Sequence, residues 1–167
     1  LNLHTNLDCC PGGVNDVLAS RLGLADIEIL NPVGTDAKGR PYGLVRIGEA
    51  AEQPLAEFAA FVKRVLSCPG VRFSDAGKPV RKVAVGGGSC GSEIGDVIAA
   101  GCDTFVTADL KYNHFEEAKY RGLNLIDAGH FETENPVCDV LEGILREAFP
   151  EIPVFRARAH RDETQFL

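Results

Sequence analysis

The sequence predicts an α/β fold of three layers, α/β/α, in which helices cover both faces of a largely parallel or mixed sheet. From Val80 onward, short apolar runs alternate with segments of helical periodicity, which is typical of right-handed βαβ units. These runs are apolar throughout, as strands buried on both faces require. The 167 residues, 45% of them hydrophobic, suffice for one substantial core.

Each element rests on its own local signal. Apolar residues recur at helical spacing over 14–22 until Gly23 supplies a stop, and Pro54 starts a second helix that ends at Cys68. Residues 31–42 are rich in turn formers. The predicted strands cover 27–30, 43–47, 71–73, 82–85, 104–107, 124–127 and 153–156. Helices over 92–100, 112–120 and 136–149 separate the later strands, and 157–167 are predicted to form a weakly docked tail.

Composition narrows the class of protein. The net charge of -7 makes nucleic acid an unlikely partner. No run approaches the roughly 20 apolar residues that span a bilayer, and no signal peptide is apparent, so we expect a soluble, cytoplasmic protein. The start on Leu1-Asn2-Leu3, without any Met, suggests that the natural beginning is missing. The 6 cysteines form no C-x-x-C pair and are expected to be reduced thiols.

The strongest chemical signal is His130 and Glu134, which follow the apolar run 123–127. Imidazole and carboxylate suit zinc and other divalent first-row metals, and a carboxylate can bridge two ions, which makes Glu134 the candidate bridge. Since Pro136 favours a helix start, we expect a loop between His130 and Glu134. The alternative is a hydrogen-bonded histidine and a carboxylate stabilised by a helix dipole.

A second pair, His4 and Asp8, has the same spacing. Asp8 is a candidate metal ligand, and equally a turn former whose carboxylate binds nearby amides. Asp109 follows the predicted strand 104–107 and is either a partner for a ligand imidazole or the cap of the next helix. His114 and His160 are expected to have no special role.

The segment 86–92, Gly-Gly-Gly-Ser-Cys-Gly-Ser, follows a strand and opens a helix. It matches no phosphate-binding pattern closely, so a tight turn with close helix packing is favoured over a dinucleotide site. Cys90 lies where a helix dipole can lower a thiol pKa, but no histidine is tied to it, and a packed thiol is the favoured interpretation.

Several motifs together resemble one family, the dinuclear-metal proteins of the Ngg-interacting factor three type, or GTP cyclohydrolase 1 type 2 homologues. The resemblance spans most of the chain. It is carried by His-Thr-Asn-Leu-Asp at 4–8, Gly-Gly-Val-Asn-Asp at 12–16, Arg-Ile-Gly-Glu at 46–49, the Gly-rich turn, Thr-Ala-Asp-Leu-Lys-Tyr at 107–112, and 123–134.

The resemblance implies a two-metal site holding zinc, manganese or iron. In it, Asp8 binds one ion, His130 the other, and Glu134 bridges them, while His4 lines the pocket. It also implies a homohexameric ring and two α/β halves in the complete protein. Residues 1–30 are then the remnant of the N-terminal half, and 31–167 form the C-terminal half.

The chain departs from the family pattern in two respects. Ala108 replaces a glycine, and Asn113 stands where a histidine is usual, with His114 one place later. The family's adjacent pair of histidine ligands is absent, which puts the metal content of this chain in doubt and agrees with a missing N-terminal segment.

Three functional hypotheses follow. The first is a metal-dependent hydrolase-like enzyme acting on a nucleotide or other phosphate-containing substrate, with His4 or Asp109 as proton donor. The second is a non-catalytic metal-binding oligomeric scaffold or regulatory interaction protein. The third is a nucleotide-binding module that uses the turn at 86–92.

Overall fold

A computed structural model describes residues 4–157 and 159–167. Leu1, Asn2 and Leu3, on which the expectation of a missing N-terminal segment rests, lie outside the described residues. Arg158, in the predicted tail, also lies outside them. The helices are α1 Thr5–Cys9, α2 Val14–Arg21, α3 Leu55–Leu66, α4 Ile94–Ala99, α5 Tyr112–Tyr120, α6 His130–Glu134 and α7 Val137–Ala148. The strands are β1 Ala25–Leu30, β2 Gly34–Thr35, β3 Pro41–Tyr42, β4 Val45–Gln53, β5 Arg72–Ser74, β6 Val80–Val85, β7 Thr104–Thr107 and β8 Asn124–Asp127.

The main sheet has six strands in the order β1-β4-β6-β7-β8-β5. Strands β6, β7 and β8 run parallel, while β1, β4 and β5 join antiparallel to their neighbours. The sheet is therefore mixed, with a parallel centre produced by the alternating part of the sequence.

Helices cover both faces of this sheet, as predicted. On β6, Val83 and Val85 face the cluster that contains α2 and α3, whereas Ala84 faces the cluster that contains α4 and α5. Successive strand side chains point to opposite faces, so the apolar strand divides its residues between two cores. The three-layer arrangement is confirmed.

The carboxyl ends of the three parallel strands meet at one edge, which is where the sequence places its chemistry. The amide of Ala108, just after β7, donates to the carbonyl of Gly88 beyond β6 at 2.9 Å. The amide of Ala128, just after β8, donates to the carbonyl of Thr107 at 2.9 Å. The three segments that follow β6, β7 and β8 are thereby neighbours.

The beginning of the chain is held on this sheet by Arg46, whose side chain is 1% exposed. Its guanidinium donates to the Asp16 carboxylate, to the Gly43 carbonyl at 2.7 Å and to the Cys9 carbonyl at 3.2 Å. Arg46 thus ties the end of α1 and the start of α2 to β4. The division of the complete protein at residue 30 stays a prediction.

The structure differs from the local expectations at 153–156 and at 31–42. The predicted strand at 153–156 is wrong, because β5, from earlier in the chain, already occupies the free edge of β8. The turn-rich stretch 31–42 contains a small hairpin, in which β2 pairs antiparallel with β3. Among the described residues, no helix combines the length and apolarity needed to cross a bilayer.

Candidate metal centre

His130 and Glu134 lie on one helical turn, because α6 runs from the first to the second. The expected loop between them is therefore wrong: four-residue spacing on a helix puts both side chains on one face. The His130 Nε2 and Glu134 Oε1 atoms lie 3.0 Å apart, and both side chains are partly exposed. This places an imidazole nitrogen and a carboxylate oxygen side by side at the carboxyl edge of the sheet.

The other ring nitrogen of His130 contacts Asp109. The Nδ1 to Oδ2 distance is 2.7 Å, and Asp109 adopts a left-handed backbone with φ 53° directly after β7. Asp109 is not the cap of α5, since Lys111 occupies that position. Partial burial opposes the charged imidazole, but the Asp109 hydrogen bond and the Glu134 charge raise the pKa of His130. With Nδ1 donating to Asp109, Nε2 is the nitrogen available to a ligand.

Asp8 faces this pair from α1. Burial, followed by the nearby Glu134 charge, raises the pKa of the Asp8 carboxyl group. No amide among the described residues donates to its carboxylate, so the turn-forming role has no support in the contacts. Asp8, His4, His130 and Glu134 line a common pocket of about 540 Å³. The structure thus brings together both residue pairs that the sequence separates by more than 100 positions.

His4 lies at the rim of this pocket. Its side chain is exposed, and its Nδ1 is 3.0 Å from the Thr5 hydroxyl. His160, from the C-terminal tail, lines the same pocket, and its ring centroid is 5.0 Å from that of Phe131. The sequence offered no signal for His160, because a lone histidine in an irregular tail has no periodicity that assigns it to a surface.

The Gly-rich turn after β6 uses its amides within the protein. The Gly87 amide donates to Asn15 Oδ1 at 2.6 Å, the Gly88 amide to Thr133 Oγ1 at 3.0 Å, and the Cys90 amide to Thr107 Oγ1 at 3.2 Å. A phosphate cradle needs such amides to point outward. These contacts favour the tight structural turn and leave the nucleotide-binding interpretation of 86–92 without support.

Close packing explains why glycine occupies this turn. At Gly88, with φ 65°, an added Cβ would lie 2.4 Å from Glu134 Oε1 and 3.1 Å from His130 Nε2. At Gly87 it would lie 2.8 Å from Val14 Cγ1. The main chain of the turn therefore packs directly against α6 and against the start of α2.

The remaining candidates lie outside the chemistry. Cys90 is 2% exposed, and burial raises the pKa of its thiol to about 12, so it is a packed thiol rather than a nucleophile. His114 accepts a hydrogen bond from the Lys111 amide at 3.2 Å and packs against Gly91. It is part of the start of α5 and does not join the pocket.

The donors around the pocket are of the kinds that bind divalent first-row metals. Asp8 and Glu134 supply carboxylates, and His130 supplies an imidazole already oriented by a carboxylate. Within 4–157 and 159–167, however, no three His, Cys, Asp or Glu side chains form a group that could hold a metal ion. The donor types fit a metal, and a complete ligand set would need more groups than these.

Sequence reasoning gave no role to Asn15, although it lies inside the Gly-Gly-Val-Asn-Asp segment. Its side chain is fully buried and contacts three separate parts of the chain. A signal was present: Asn15 and Ala19 share one face of α2 and Leu22 follows at helical spacing, so a polar amide stands in an apolar stripe. Buried polar groups require partners, and that requirement points to a positional role.

Comparison with known proteins places these features in context. The chain is 38% identical over 146 residues to a GTP cyclohydrolase 1 type 2 homolog of Nostoc sp., covering 86% of this chain and 54% of that protein. It is 41% identical over 143 residues to the homolog from Streptomyces coelicolor, covering 82% of this chain and 50% of that protein. The chain thus spans about half the length of these curated relatives.

Solved structures show the same fold. A hypothetical protein from Staphylococcus aureus superposes with a TM-score of 0.89 at 29% identity, covering 99% of this chain and 67% of that chain. Reduced HcgD from Methanocaldococcus jannaschii gives a TM-score of 0.68 at 28% identity, covering 87% of this chain and 55% of that chain. The sequence model of Duf34/NIF3 (NGG1p interacting factor 3) matches residues 1–163, and the chain belongs to this family.

Proposed function

We propose that this chain contributes Asp8, His130 and Glu134 to a site for two divalent metal ions in a hydrolase-like enzyme. The observation that carries the proposal is the His130 imidazole, held at Nδ1 by Asp109 at 2.7 Å with Nε2 beside Glu134 at 3.0 Å. Histidine ligands of metals generally donate their second nitrogen to such a carboxylate. Glu134, whose Oε1 contacts His130 and whose charge helps to raise the pKa of the Asp8 carboxyl group, is the proposed bridge.

The bound metal and the residues around it would have separate roles. Bound zinc, manganese or iron would supply Lewis-acid activation of water for hydrolysis. Asp109 orients the His130 ring and selects its tautomer. The exposed imidazole of His4, whose Nδ1 lies 3.0 Å from the Thr5 hydroxyl, is proposed to turn toward a substrate and to hold or release a proton there.

The proposed substrate class is a nucleotide or another phosphate-containing molecule. Support comes from the curated relatives, which are named GTP cyclohydrolase 1 type 2 homologs, and from a pocket of about 540 Å³. Because the amides of Gly87, Gly88 and Cys90 are occupied, recognition of such a substrate is proposed to rest on the imidazoles that line the pocket. His4 and His160 line it together with His130.

The test combines metal content with turnover. We expect the complete protein to bind zinc, manganese or iron stoichiometrically and to hydrolyse one of a panel of nucleotides that includes GTP. Glu134→Gln should lose at least one metal ion and the turnover together. Glu116→Gln, on the exposed side of α5, is the control and should change neither. Stoichiometric metal with no turnover, unaffected by Glu134→Gln, would refute the catalytic part.

A second candidate function, a metal-binding oligomeric scaffold, is favoured by the apolar side of α7. Ile144 and Leu145 on this helix are 55% and 44% exposed, and Phe149 just beyond it is 47% exposed. Exposed apolar side chains grouped on one helix and its end favour an interaction site. The family resemblance suggests a homohexameric ring as the assembly that would cover it.

Light scattering of the assembled protein separates the two functions. If the protein is a scaffold, it should show no hydrolytic activity, and removal of the metal by a chelator should dissociate the oligomer. Ile144→Glu should also weaken assembly. Tyr120→Glu, at an 85% exposed aromatic position on α5, should not. An oligomer that resists both the chelator and Ile144→Glu would exclude this function for α7.

A further inference from the structure

Asn15 uses its whole side-chain amide to connect three segments in the interior. Its Nδ2 donates to the main-chain carbonyl of Asp8 at 3.1 Å and to that of Leu44 at 2.6 Å. Its Oδ1 accepts from the amide of Gly87 at 2.6 Å. The residue is 0% exposed, so its own amide group would otherwise lie unsatisfied in the core. Asn15 therefore links the segment that carries Asp8 to the Gly-rich turn.

The neighbouring residue of that turn is attached in the same way to the other side of the pocket. The Gly88 amide donates to Thr133 Oγ1 at 3.0 Å, and Thr133 lies on α6 between His130 and Glu134. The Thr133 hydroxyl also contacts the carbonyl of Gly129 at 2.8 Å. The two donor-bearing segments are thus attached to consecutive residues, whose Cα atoms are about 3.8 Å apart across a trans peptide.

This arrangement gives the turn a spacing role. Val14, beside Asn15, packs on Gly87, while Glu134 and His130 pack on Gly88. Both contacts are too close to admit a Cβ, so neither segment can shift inward independently of the turn. The distance from Asp8 to Glu134 is then set by one peptide unit and two side-chain hydrogen bonds.

We propose that Asn15 is a positioning residue for the metal centre, which holds Asp8 at a fixed separation from His130 and Glu134 by tying its segment to Gly87. The inference rests on the proposed metal function for its purpose. The linkage through Asp8, Asn15 and Gly87 is a property of the chain itself. Arg46 has a different part, because its guanidinium holds the Cys9 carbonyl against β4.

The experiment compares Asn15→Ala with Leu18→Ala, a fully buried apolar position on the same helix. Amide exchange followed by NMR reports the local attachment of α1, and Co²⁺ titration of the complete protein reports the metal affinity. We expect Asn15→Ala to accelerate exchange in α1 at least tenfold more than in β6–β8, and to weaken Co²⁺ binding 10- to 100-fold. Leu18→Ala should accelerate all of these amides by a common factor and leave the affinity within about threefold of wild type.

Equal acceleration in α1 and in the sheet for both variants would overturn the positioning role. If wild-type protein binds no Co²⁺ while α1 is selectively released by Asn15→Ala, the metal function fails and the positioning of Asp8 stands. If Asn15→Ala does not fold, Asn15→Ser serves instead. Its hydroxyl is too short to reach both Asp8 and Gly87, so the same selective release of α1 is expected.

Discussion

The Nδ1 atom of His130 lies 2.7 Å from the Oδ2 atom of Asp109, although 21 positions separate the residues in the chain. The contact exists because β7 and β8 are parallel neighbours, so that the segments following them emerge side by side. It fixes the orientation of the imidazole and directs Nε2 toward Glu134.

Removing the Asp109 charge should weaken metal binding without unfolding the protein. Asparagine tolerates the left-handed backbone at this position, so Asp109→Asn should leave the fold intact. The metal affinity should fall about 10- to 100-fold, as for other residues that orient a ligand. Co²⁺ titration measures this. Asp26→Asn, at φ 49° on exposed β1, is the matched control and should have no effect. Equal affinities in both variants would contradict the role of Asp109.

A methyl group at Gly88 should act on the site as well as on the backbone. Gly88→Ala places a Cβ 2.4 Å from Glu134 Oε1, whereas Gly101→Ala, with φ 73°, meets nothing within 4 Å. Both variants should lose about 1 kcal/mol or more of unfolding free energy from strain at positive φ. Only Gly88→Ala should displace Glu134 and reduce the Co²⁺ affinity at least tenfold. Urea unfolding measures the stability of both variants, and Co²⁺ titration measures their metal affinity. An equal loss of affinity in Gly101→Ala would refute a specific effect of Gly88 on Glu134.

Loss of the buried Arg46 side chain should be far more costly than loss of a surface ion pair. Arg46→Ala removes the buried guanidinium that donates to the Asp16 carboxylate and to the Gly43 and Cys9 carbonyls, and should reduce the free energy of unfolding by about 3 kcal/mol. Arg21→Ala breaks an ion pair with Asp139 in which both side chains are about half exposed. It should change the free energy of unfolding by less than about 1 kcal/mol. Denaturant unfolding of the two variants provides the measurement. Comparable losses of unfolding free energy in the two variants would show that Arg46 contributes little to stability.

The buried thiol of Cys90 should make the protein less stable in alkaline solution. Burial raises the pKa of this thiol from 9.0 to about 12, so the unfolded chain releases the proton first. The stability associated with the protonated thiol is complete below pH 9 and is lost between pH 9 and 12. In that window the slope for one such group is at most about 1.4 kcal/mol per pH unit.

Urea unfolding at a series of pH values tests this effect. Cys90→Ala should lose stability less steeply above pH 9 than the wild type. Val97→Ala, on α4 in the same core, should lower stability by a similar amount at every pH. A parallel pH profile for Cys90→Ala and wild type would contradict the prediction.

Much of the fold followed from local pattern. Alternation of apolar and amphipathic segments after Val80 predicted β6, β7 and β8 with the helices between them, because burial on both faces leaves a continuous apolar run. The strand predicted at 153–156 does not form, and the reason is non-local. Whether Val154 joins a sheet depends on a free edge, and that edge was taken by β5.

The candidate site was only partly predictable. Residue type and spacing selected His130 and Glu134 and left Asp8 open between metal ligand and turn former. Only the family resemblance implied that the three form one group, and the structure places them around one pocket. Local rules misjudged the backbone between His130 and Glu134, since Pro136 was expected to begin the helical structure that already starts at His130. A short helix supported by Thr133 and the Gly-rich turn owes its conformation to packing rather than propensity.

By itself, the sequence determined the identity of the chemical groups and the strand-helix alternation, since both depend on residue type and short-range periodicity. Tertiary structure alone decided which groups meet. The contact of Asp109 with His130, the link from Asn15 to Gly87, and the occupied amides of the turn all join residues distant in the chain. Such contacts arise from strand order and from the need to satisfy buried polar groups, and neither is encoded in local spacing.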